Sequence, residues 1–460
     1  MTTFDPTALR TFRFLERTFD PATGTVRLTY GLDDTYRFTE EFDLPLPAGS
    51  APWADTRKGT SPSGRAFPQR EPLLDLLHWV AGVSYYKTAA PPEVSCETGA
   101  PPPATAALLD ALYSEGLGEF AVVNHLPALP RPRFPAGARR TPVADAGGPP
   151  KLLVPVGGGK DSVVALEIVR RAGVDFQLFS VGDAAPIRRT AEIAGVPRLV
   201  VRRRLDPQLR ELNAAGALNG HVPITAVVSC VALLTAALHG CTGVALANER
   251  SASRGNLVHD GIEVNHQFSK SLRVERLLSA AVAEATAGVH VFSLLRPASE
   301  LAIARAFSRL PQYHHAFTSC NAVFRIDPEL RAQSWCADCP KCRFVFLILA
   351  PFLGPEALRD IFGAAMLDDE RQHEGFALLT ATGGHKPFEC VGEEEESLAA
   401  IELLADDPRW RDQVVVRRLA AEVLGRHGRD PRRLRDALAL SDEHQVPEPL
   451  IEHVRAVLGA

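Results

Sequence analysis

Apolar and polar residues alternate through Thr11-Phe12-Arg13-Phe14-Leu15 and again through Thr25-Val26-Arg27-Leu28-Thr29-Tyr30. A period of two puts the apolar set on one face of an extended chain, so both segments are expected as half-buried strands. Asp20-Pro21-Ala22-Thr23-Gly24 lies between them and carries turn chemistry, which predicts a hairpin. Tyr36 to Leu44 is expected to add a third strand, giving a small N-terminal β-rich unit within residues 1–50. Apolar residues at helical spacing over 72–82 and 104–116 complete an N-terminal α+β domain, 1–125. From 126 to 150 Pro, Gly, Ala and Arg crowd together, which predicts a linker or long surface loop.

From Lys151 onward the pattern changes. Apolar runs at 152–156, 176–181, 199–201, 243–247 and 290–294 alternate with helical stretches at 162–172, 187–194, 223–238, 269–287 and 298–307. Strands that alternate with helices imply an α/β fold with a doubly wound parallel sheet, here over 151–350. Residues 351–460 read as a mostly helical C-terminal region. The acidic run Glu393 to Glu396 is expected at a helix N-terminus, where carboxylates meet the positive end of the helix dipole. Arginines over 408–460 are interleaved with Asp and Glu, the pattern of a solvated helical face.

The 460 residues are 46% hydrophobic and 23% charged, ordinary for a globular chain with a sizeable core, and the net charge of −5 provides no field for nucleic acid. The longest uncharged stretch, Leu212 to Asn248, is interrupted by Pro223, His239 and small polar residues; a buried helix followed by a buried strand fits it better than a membrane span. The N-terminus lacks the order of a signal peptide. Eight cysteines are present, three of them within seven residues at Cys336, Cys339 and Cys342. That crowding points to metal binding in a reducing compartment, so a cytoplasmic location is expected.

The first strand of the α/β part runs into Gly157-Gly158-Gly159-Lys160-Asp161-Ser162 at the start of a helix. Glycines there let backbone N–H groups approach phosphate oxygens, and a helix N-terminus favours anions. A Walker loop fails on spacing, because Val154 stands where its first glycine belongs and Asp161 follows the lysine. A dinucleotide fingerprint fails at Ser162. The string does resemble the PP-loop pattern Ser-Gly-Gly-x-Asp-Ser, with Gly157 in place of the first serine. The resemblance implies a PP-loop (HUP-like) sheet that binds ATP, usually with Mg2+, and splits it to AMP and pyrophosphate. Gly157, Gly158, Gly159 and Ser162 would hold pyrophosphate, Lys160 would neutralise charge, and Asp161 would lie near magnesium.

Four further strings carry chemistry. Asn248-Glu249-Arg250-Ser251 follows the 243–247 strand at the same sheet edge and leads through Asn256 to Asn265-His266-Gln267-Phe268-Ser269-Lys270-Ser271. The plain alternative for its end is a helix capped by Ser269. Cys320 and Trp335-Cys336-Ala337-Asp338-Cys339-Pro340-Lys341-Cys342 supply four thiolates, enough to close a tetrahedral zinc site. An iron–sulfur cluster or unliganded buried thiols are the alternatives. Gly383-Gly384-His385-Lys386-Pro387-Phe388-Glu389-Cys390 gathers an imidazole, an amine, a carboxylate and a thiol.

Together with Gly159-Lys160-Asp161-Ser162, these strings resemble the ATP-dependent UDP-N-acetylmuramoyl-L-alanyl-L-glutamate epimerases of bacterial cell-wall synthesis, over about positions 80 to 400. The resemblance implies a small-molecule substrate, a UDP-muramoyl dipeptide, whose terminal L-Glu is inverted after adenylation of its carboxylate. Candidate acid/base groups are His385, Lys386, Cys390, His266 and Lys270, whose types transfer protons near neutral pH. Arg250 and Asn256 are candidate partners for substrate carboxylate or phosphates. Cys320, Cys336, Cys339 and Cys342 would hold structural Zn2+. Neither a nucleic-acid nor a membrane partner is expected, and the oligomeric state is not legible. The competing readings are a PP-loop synthase or thiolase acting on a nucleobase or tRNA, and an ATP-sensing module without turnover.

Overall fold

The computed structural model describes residues 4–47, 70–144, 148–259, 261–325, 329, 331–382 and 386–459. Its strands are β1 (Thr11–Asp20), β2 (Thr25–Leu32), β3 (Tyr36–Asp43), β4 (Glu93–Cys96), β5 (Lys151–Pro155), β6 (Asp175–Val181), β7 (Arg198–Arg204), β8 (Gly243–Leu246), β9 (Leu257–His259), β10 (Ile262–Val264) and β11 (His290–Ser293). Nine form one sheet in the order β11-β8-β5-β6-β7-β3-β2-β1-β4, and β9 pairs with β10 alone. From β11 to β7 every pairing is parallel. The chain winds outward from β5 in both directions, through β6 and β7 on one side and β8 and β11 on the other. The carboxyl ends of β5 and β8 therefore flank a crevice of the kind in which doubly wound sheets bind ligands.

Side-chain alternation explains why this half is covered on both faces. Leu152 and Val154 enter one core and Leu153 the other; Leu178 and Phe179 divide in the same way. The helices Lys160–Ala172 and Glu300–Ser308 belong to the first core, and Ile224–Leu238 and Leu272–Ala285 to the second. The uncharged stretch after Leu212 is thus a 15-residue buried helix leading to β8. No described helix is long and apolar enough to cross a membrane.

The N-terminal strands differ from the expectation of a separate small unit, because they extend the same sheet. β3 runs antiparallel to β7, with Glu41, Phe42 and Asp43 opposite Arg204, Arg203 and Arg202. Arg203 pairs with the buried Glu40 at 2.5 Å, and Arg204 with Glu41 at 2.8 Å and with Asp43. An acidic strand meeting a basic one makes the junction, a pairing that single-strand periodicity does not reveal. β4 and the β9–β10 hairpin were not anticipated, being too short to show a period. Residues 126–144 and 148–150 hold no helix or strand, only a bridge between Val143 and Thr286. Phe134 nevertheless packs against Phe14 and Tyr113 at centroid distances of 5.9 and 4.9 Å.

The C-terminal region is helical, and Glu393–Glu396 forms a capping box opening the helix Glu394–Asp406, as the acidic run implied. One cap is corrected. The helix read from 269 begins at Leu272, and its cap is Ser271, whose hydroxyl accepts from the Val274 N–H at 3.3 Å. Phe268–Lys270 makes a separate turn of 3-10 helix before it.

Candidate active site

β5 ends at Pro155, and the helix that follows begins at Lys160, so the three glycines form the turn between them. Gly158 has φ +80, and a Cβ there would come within 2.8 Å of Pro186 Cβ and 2.9 Å of the Ile187 nitrogen. Only glycine fits that position without moving backbone. The turn is held from the other side by Thr318, whose N–H donates to the Gly158 carbonyl at 2.8 Å, while Ser319 sits 3.4 Å from the position a Gly159 Cβ would take. Gly157, in contrast, has open space around it. The Ser162 hydroxyl donates to the Gly159 carbonyl at 2.9 Å, within the loop.

Lys160 is buried and its ammonium group is clamped between Asp161 and Glu300. Burial and the Asp161 charge push the Glu300 carboxyl up to about 7, against the pull of Lys160. Glu396 lies behind it, accepting the Glu300 N–H at 2.6 Å and the Ser251 hydroxyl at 2.8 Å. Burial, then the Glu300 charge, lift its carboxyl to about 7 as well.

The thiol of Cys390 accepts a hydrogen bond from Lys270 Nζ at 3.7 Å and makes another with the His266 ring. His266 Nδ1 is engaged by Glu119, so the ring joins a thiol to a carboxylate. His221 lies against the His266 ring, centroids 4.3 Å apart, and Lys341 Nζ donates to the Cys390 carbonyl. Burial alone would raise the Cys390 thiol. Lys270, the His266 hydrogen bond and Lys341 outweigh it and bring the thiol down to about 6. Burial likewise works against a charged His266, but the bonds to Cys390 and Glu119 hold it up at about 9. At His221 burial and then the His266 charge outweigh the pull of Glu119 and take the ring down to about 4. The Lys270 charge is felt by Asp161 and Glu300 as well as by Cys390, and the Lys341 charge by Asp161 and Cys390. The thiol and the glycine loop therefore lie in the field of the same two lysines.

Arg296 fixes this arrangement from inside. Its guanidinium, fully buried, donates to Glu275 at 2.9 and 3.0 Å and to the carbonyls of Glu249 and Lys270. Asn256 acts as a strut rather than facing outward: its Nδ2 donates to the Pro387 carbonyl at 2.8 Å, and its Oδ1 accepts the His266 N–H at 3.0 Å. Lys386 donates to the Gly392 carbonyl at 2.8 Å inside its own loop, and burial lowers its ammonium. Arg250 stands apart, donating to the Ala439 carbonyl at 2.8 Å and lining a cavity of about 870 Å³ with Arg254, Arg273 and Arg276. His385 lies outside the described residues.

The second cysteine site is separate from Cys390. The sulfurs of Cys320, Cys336, Cys339 and Cys342 all lie within 4.8 Å of one another, with Cys320–Cys339 at 3.9 Å, Cys336–Cys342 at 3.7 Å and Cys339–Cys342 at 3.5 Å. A tetrahedron with metal–sulfur bonds of about 2.3 Å has edges of about 3.8 Å, so the four donors fit one zinc ion. A cluster, with a different iron behind each thiolate, would need them further apart.

Residues 3–294 match the family model described as the MurL N-terminal domain, and residues 316–433 match the MurL C-terminal domain. This chain belongs to the MurL family. It is 47% identical to the UDP-N-acetyl-alpha-D-muramoyl-L-alanyl-L-glutamate epimerase of Salinispora tropica over 88% of this chain and 87% of that one. The proteins of the same name from Micromonospora sp. and Xanthomonas oryzae pv. oryzae are 46% and 40% identical, over 95% and 99% of this chain and 96% and 99% of their own. Such similarity along nearly the whole length makes this MurL family member an enzyme. Glu119, His221, Glu300, Lys341 and Glu396 escaped the sequence reading of it. Lys341 alone had a signal, its place inside the cysteine string; Glu119 and His221 come from segments with no local pattern.

Proposed function

We propose that this chain inverts the terminal L-glutamate of UDP-N-acetylmuramoyl-L-alanyl-L-glutamate to D-glutamate, using ATP and releasing AMP and pyrophosphate through an acyl-adenylate. The observation that carries the reading is a glycine loop at the sheet crevice whose Asp161 lies in the field of Lys270 and Lys341, the two lysines that bond Cys390 beside His266 and Glu119. An epimerase has a reason to use ATP. A free carboxylate resists loss of its α-proton, because the carbanion would form beside a full negative charge. Adenylation removes that charge and lets the carbonyl accept electrons as an enolate. The loop around Gly157, Gly158, Gly159 and Ser162 would bind the leaving pyrophosphate in a PP-loop manner, and Lys270 and Lys341 would stabilise charge developing at the carbonyl. The buried carboxylates Asp161 and Glu300 are oxygen donors of the kind magnesium takes, and bound Mg2+ would neutralise phosphate charge there. The cavity beside Arg250 and Arg276 suits the substrate's diphosphate.

Zinc in the four-thiol site would be structural. Its ligands neighbour Ser319, which abuts the glycine loop, and Lys341, which holds Cys390. Metal analysis is expected to give one zinc per chain.

The test is an incubation with ATP, Mg2+ and the L,L-dipeptide substrate in D2O, with AMP and the α-carbon configuration assayed together. AMP with deuterated D-glutamate is the expected result. AMP without inversion would point instead to a synthase lacking its second substrate, and ATP binding with neither product would leave a sensor.

A further inference from the structure

Cys390 is more elaborately supported than a one-face proton carrier requires. Its sulfur meets Lys270 at 3.7 Å and interacts with the His266 ring, whose Nδ1 is engaged by Glu119. A thiol, an imidazole and an orienting carboxylate in that order are the parts of an activated nucleophile. Asn256 fixes the backbone of His266 and of the segment leading to Cys390 at the same time, which holds the two side chains in register.

We propose, building on the adenylation reading above, that Cys390 takes the activated glutamyl group from the adenylate as a thioester, and that inversion takes place on this acyl-enzyme. The thiolate sulfur attacks the carbonyl carbon of the mixed anhydride, the carbon–oxygen bond to phosphate breaks, and AMP leaves with the electron pair. His266, no longer opposite a thiolate, gives its proton to the departing phosphate or to solvent and becomes a base. It then takes the α-proton, and the thioester carbonyl holds the electron pair as an enolate opposite Lys270. A solvent-derived proton returns to the other face of the α-carbon. Water finally attacks the thioester, the carbon–sulfur bond breaks, and the thiolate is restored. The sum is ATP and water in, AMP and pyrophosphate out, with one centre inverted.

The balance between basicity and nucleophilicity favours this role. A thiol brought from 9 to about 6 loses basicity by the full difference. Its nucleophilicity falls only about 30-fold, because it follows acidity with a slope near 0.5. Cations around Cys390 thus hinder it as a base for a carbon acid far more than as a nucleophile. The lysines that hold the thiolate also act on Asp161 of the glycine loop, which puts the adenylation site and the thiol under the same charges.

The experiment has two arms. A single turnover of the unaltered protein with ATP, Mg2+ and dipeptide substrate is quenched in acid and examined by intact-protein and peptide mass spectrometry. A substrate-minus-water adduct on the Cys390 peptide, discharged by hydroxylamine, is expected. In the second arm, α-proton exchange in D2O is followed from the L and D epimers separately in Cys390→Ala and in the size-preserving Cys390→Ser. Both variants should lose exchange from both epimers together, by 1000-fold or more, while substrate-dependent exchange of pyrophosphate into ATP stays within tenfold of the unaltered protein. Exchange that persists from one epimer would overturn the thioester and make Cys390 a one-face proton carrier. Absence of pyrophosphate exchange in the unaltered protein would overturn the adenylation reading, and the thioester with it.

Discussion

Two regions of this molecule bury a histidine beside a cysteine-bearing strand or loop, and they treat them oppositely. On the aromatic side, His78 is enclosed by Phe14 and Tyr30 at 5.4 and 5.0 Å and bonds only the Thr29 carbonyl, at 3.1 Å. Burial takes it down to about 4, and the same effect pushes the Cys96 thiol up to about 12. At the crevice, His266 and Cys390 are half-buried and also meet desolvation penalties, yet His266 stands at about 9 and Cys390 at about 6. The difference is charge. Glu119, Lys270 and Lys341 reach the second pair and hold its charged forms, whereas Arg17 and Asp75 act on His78 in opposite directions and burial alone acts on Cys96. Burial alone makes inert residues; burial with a matched set of charges makes reactive ones.

Replacing the thiols one at a time gives the largest contrast. Cys390→Ala is expected to lower the inversion rate by about 1000-fold or more, the upper part of the range for losing a proton-transfer or nucleophilic group. Cys96→Ala should stay within about threefold, since that thiol has no charged partner to serve. Chiral analysis of the product under saturating ATP measures both, and equal effects would break the comparison.

The glycine loop offers a second contrast, smaller in size. Gly158→Ala places a methyl group against Pro186 and the Ile187 nitrogen at a positive φ, so the loop must shift. Misplacement by about 1 Å can cost on the order of 100-fold, and kcat/KM for ATP should fall accordingly. Gly157→Ala meets nothing within 4 Å and should change kcat/KM for ATP by less than about threefold. Gly157→Ser, which restores the serine usual in the PP-loop pattern, is expected to lower KM for ATP.

The contrast also marks what the sequence discloses. The loop was legible because its chemistry is contiguous: glycines, lysine, aspartate and serine serve one turn between a strand and a helix. The four-thiol group was nearly as open, with three of its members in one seven-residue string. Cys390, His266 and Lys270 could be named as reactive types but not as partners, because segments 266–270 and 390 meet only through the fold. Glu119 begins a short helix, Gly118–Val123, where a carboxylate looks like any solvated helix start. His221 lies in Asn219-Gly220-His221-Val222-Pro223, which reads as a turn. The joining of β3 to β7 was hidden for the same reason, since complementary charge on distant strands has no local period.

Removing a cation should move the thiol directly. With Lys270→Met the Cys390 thiol loses its nearest positive charge and titrates above 6, toward the value burial favours. At pH 5, below the titration of the unaltered thiol, each unit of that rise lowers the thiolate fraction about tenfold and raises its nucleophilicity about threefold, so iodoacetamide alkylation should slow by about threefold per unit. Lys386→Met, whose ammonium bonds the Gly392 carbonyl, should leave the alkylation profile in place. Peptide mapping identifies which thiol reacts. A profile unchanged by Lys270→Met would mean that the cations do not set the thiol.

The smallest expected effect falls on the far end of the chain of contacts. Cys390 must be a thiolate and His266 an imidazolium for the pair to start the reaction, so the rate should fall as pH drops through about 6 and again as it rises through about 9. Glu119 helps chiefly the second limb, because it bonds His266 and supports its charged form. Glu119→Gln keeps a hydrogen-bond partner and removes the negative charge. The alkaline limb should therefore move down toward neutrality by about one unit, with a rate loss of about threefold at pH 8.5, approaching tenfold above pH 9, and little change at pH 7. The acid limb should stay or shift slightly upward, since a less charged imidazole supports the thiolate less. A pH profile of kcat for the two proteins decides it: movement of the alkaline limb alone places Glu119 behind His266, and a uniform loss at every pH would assign it a purely structural role.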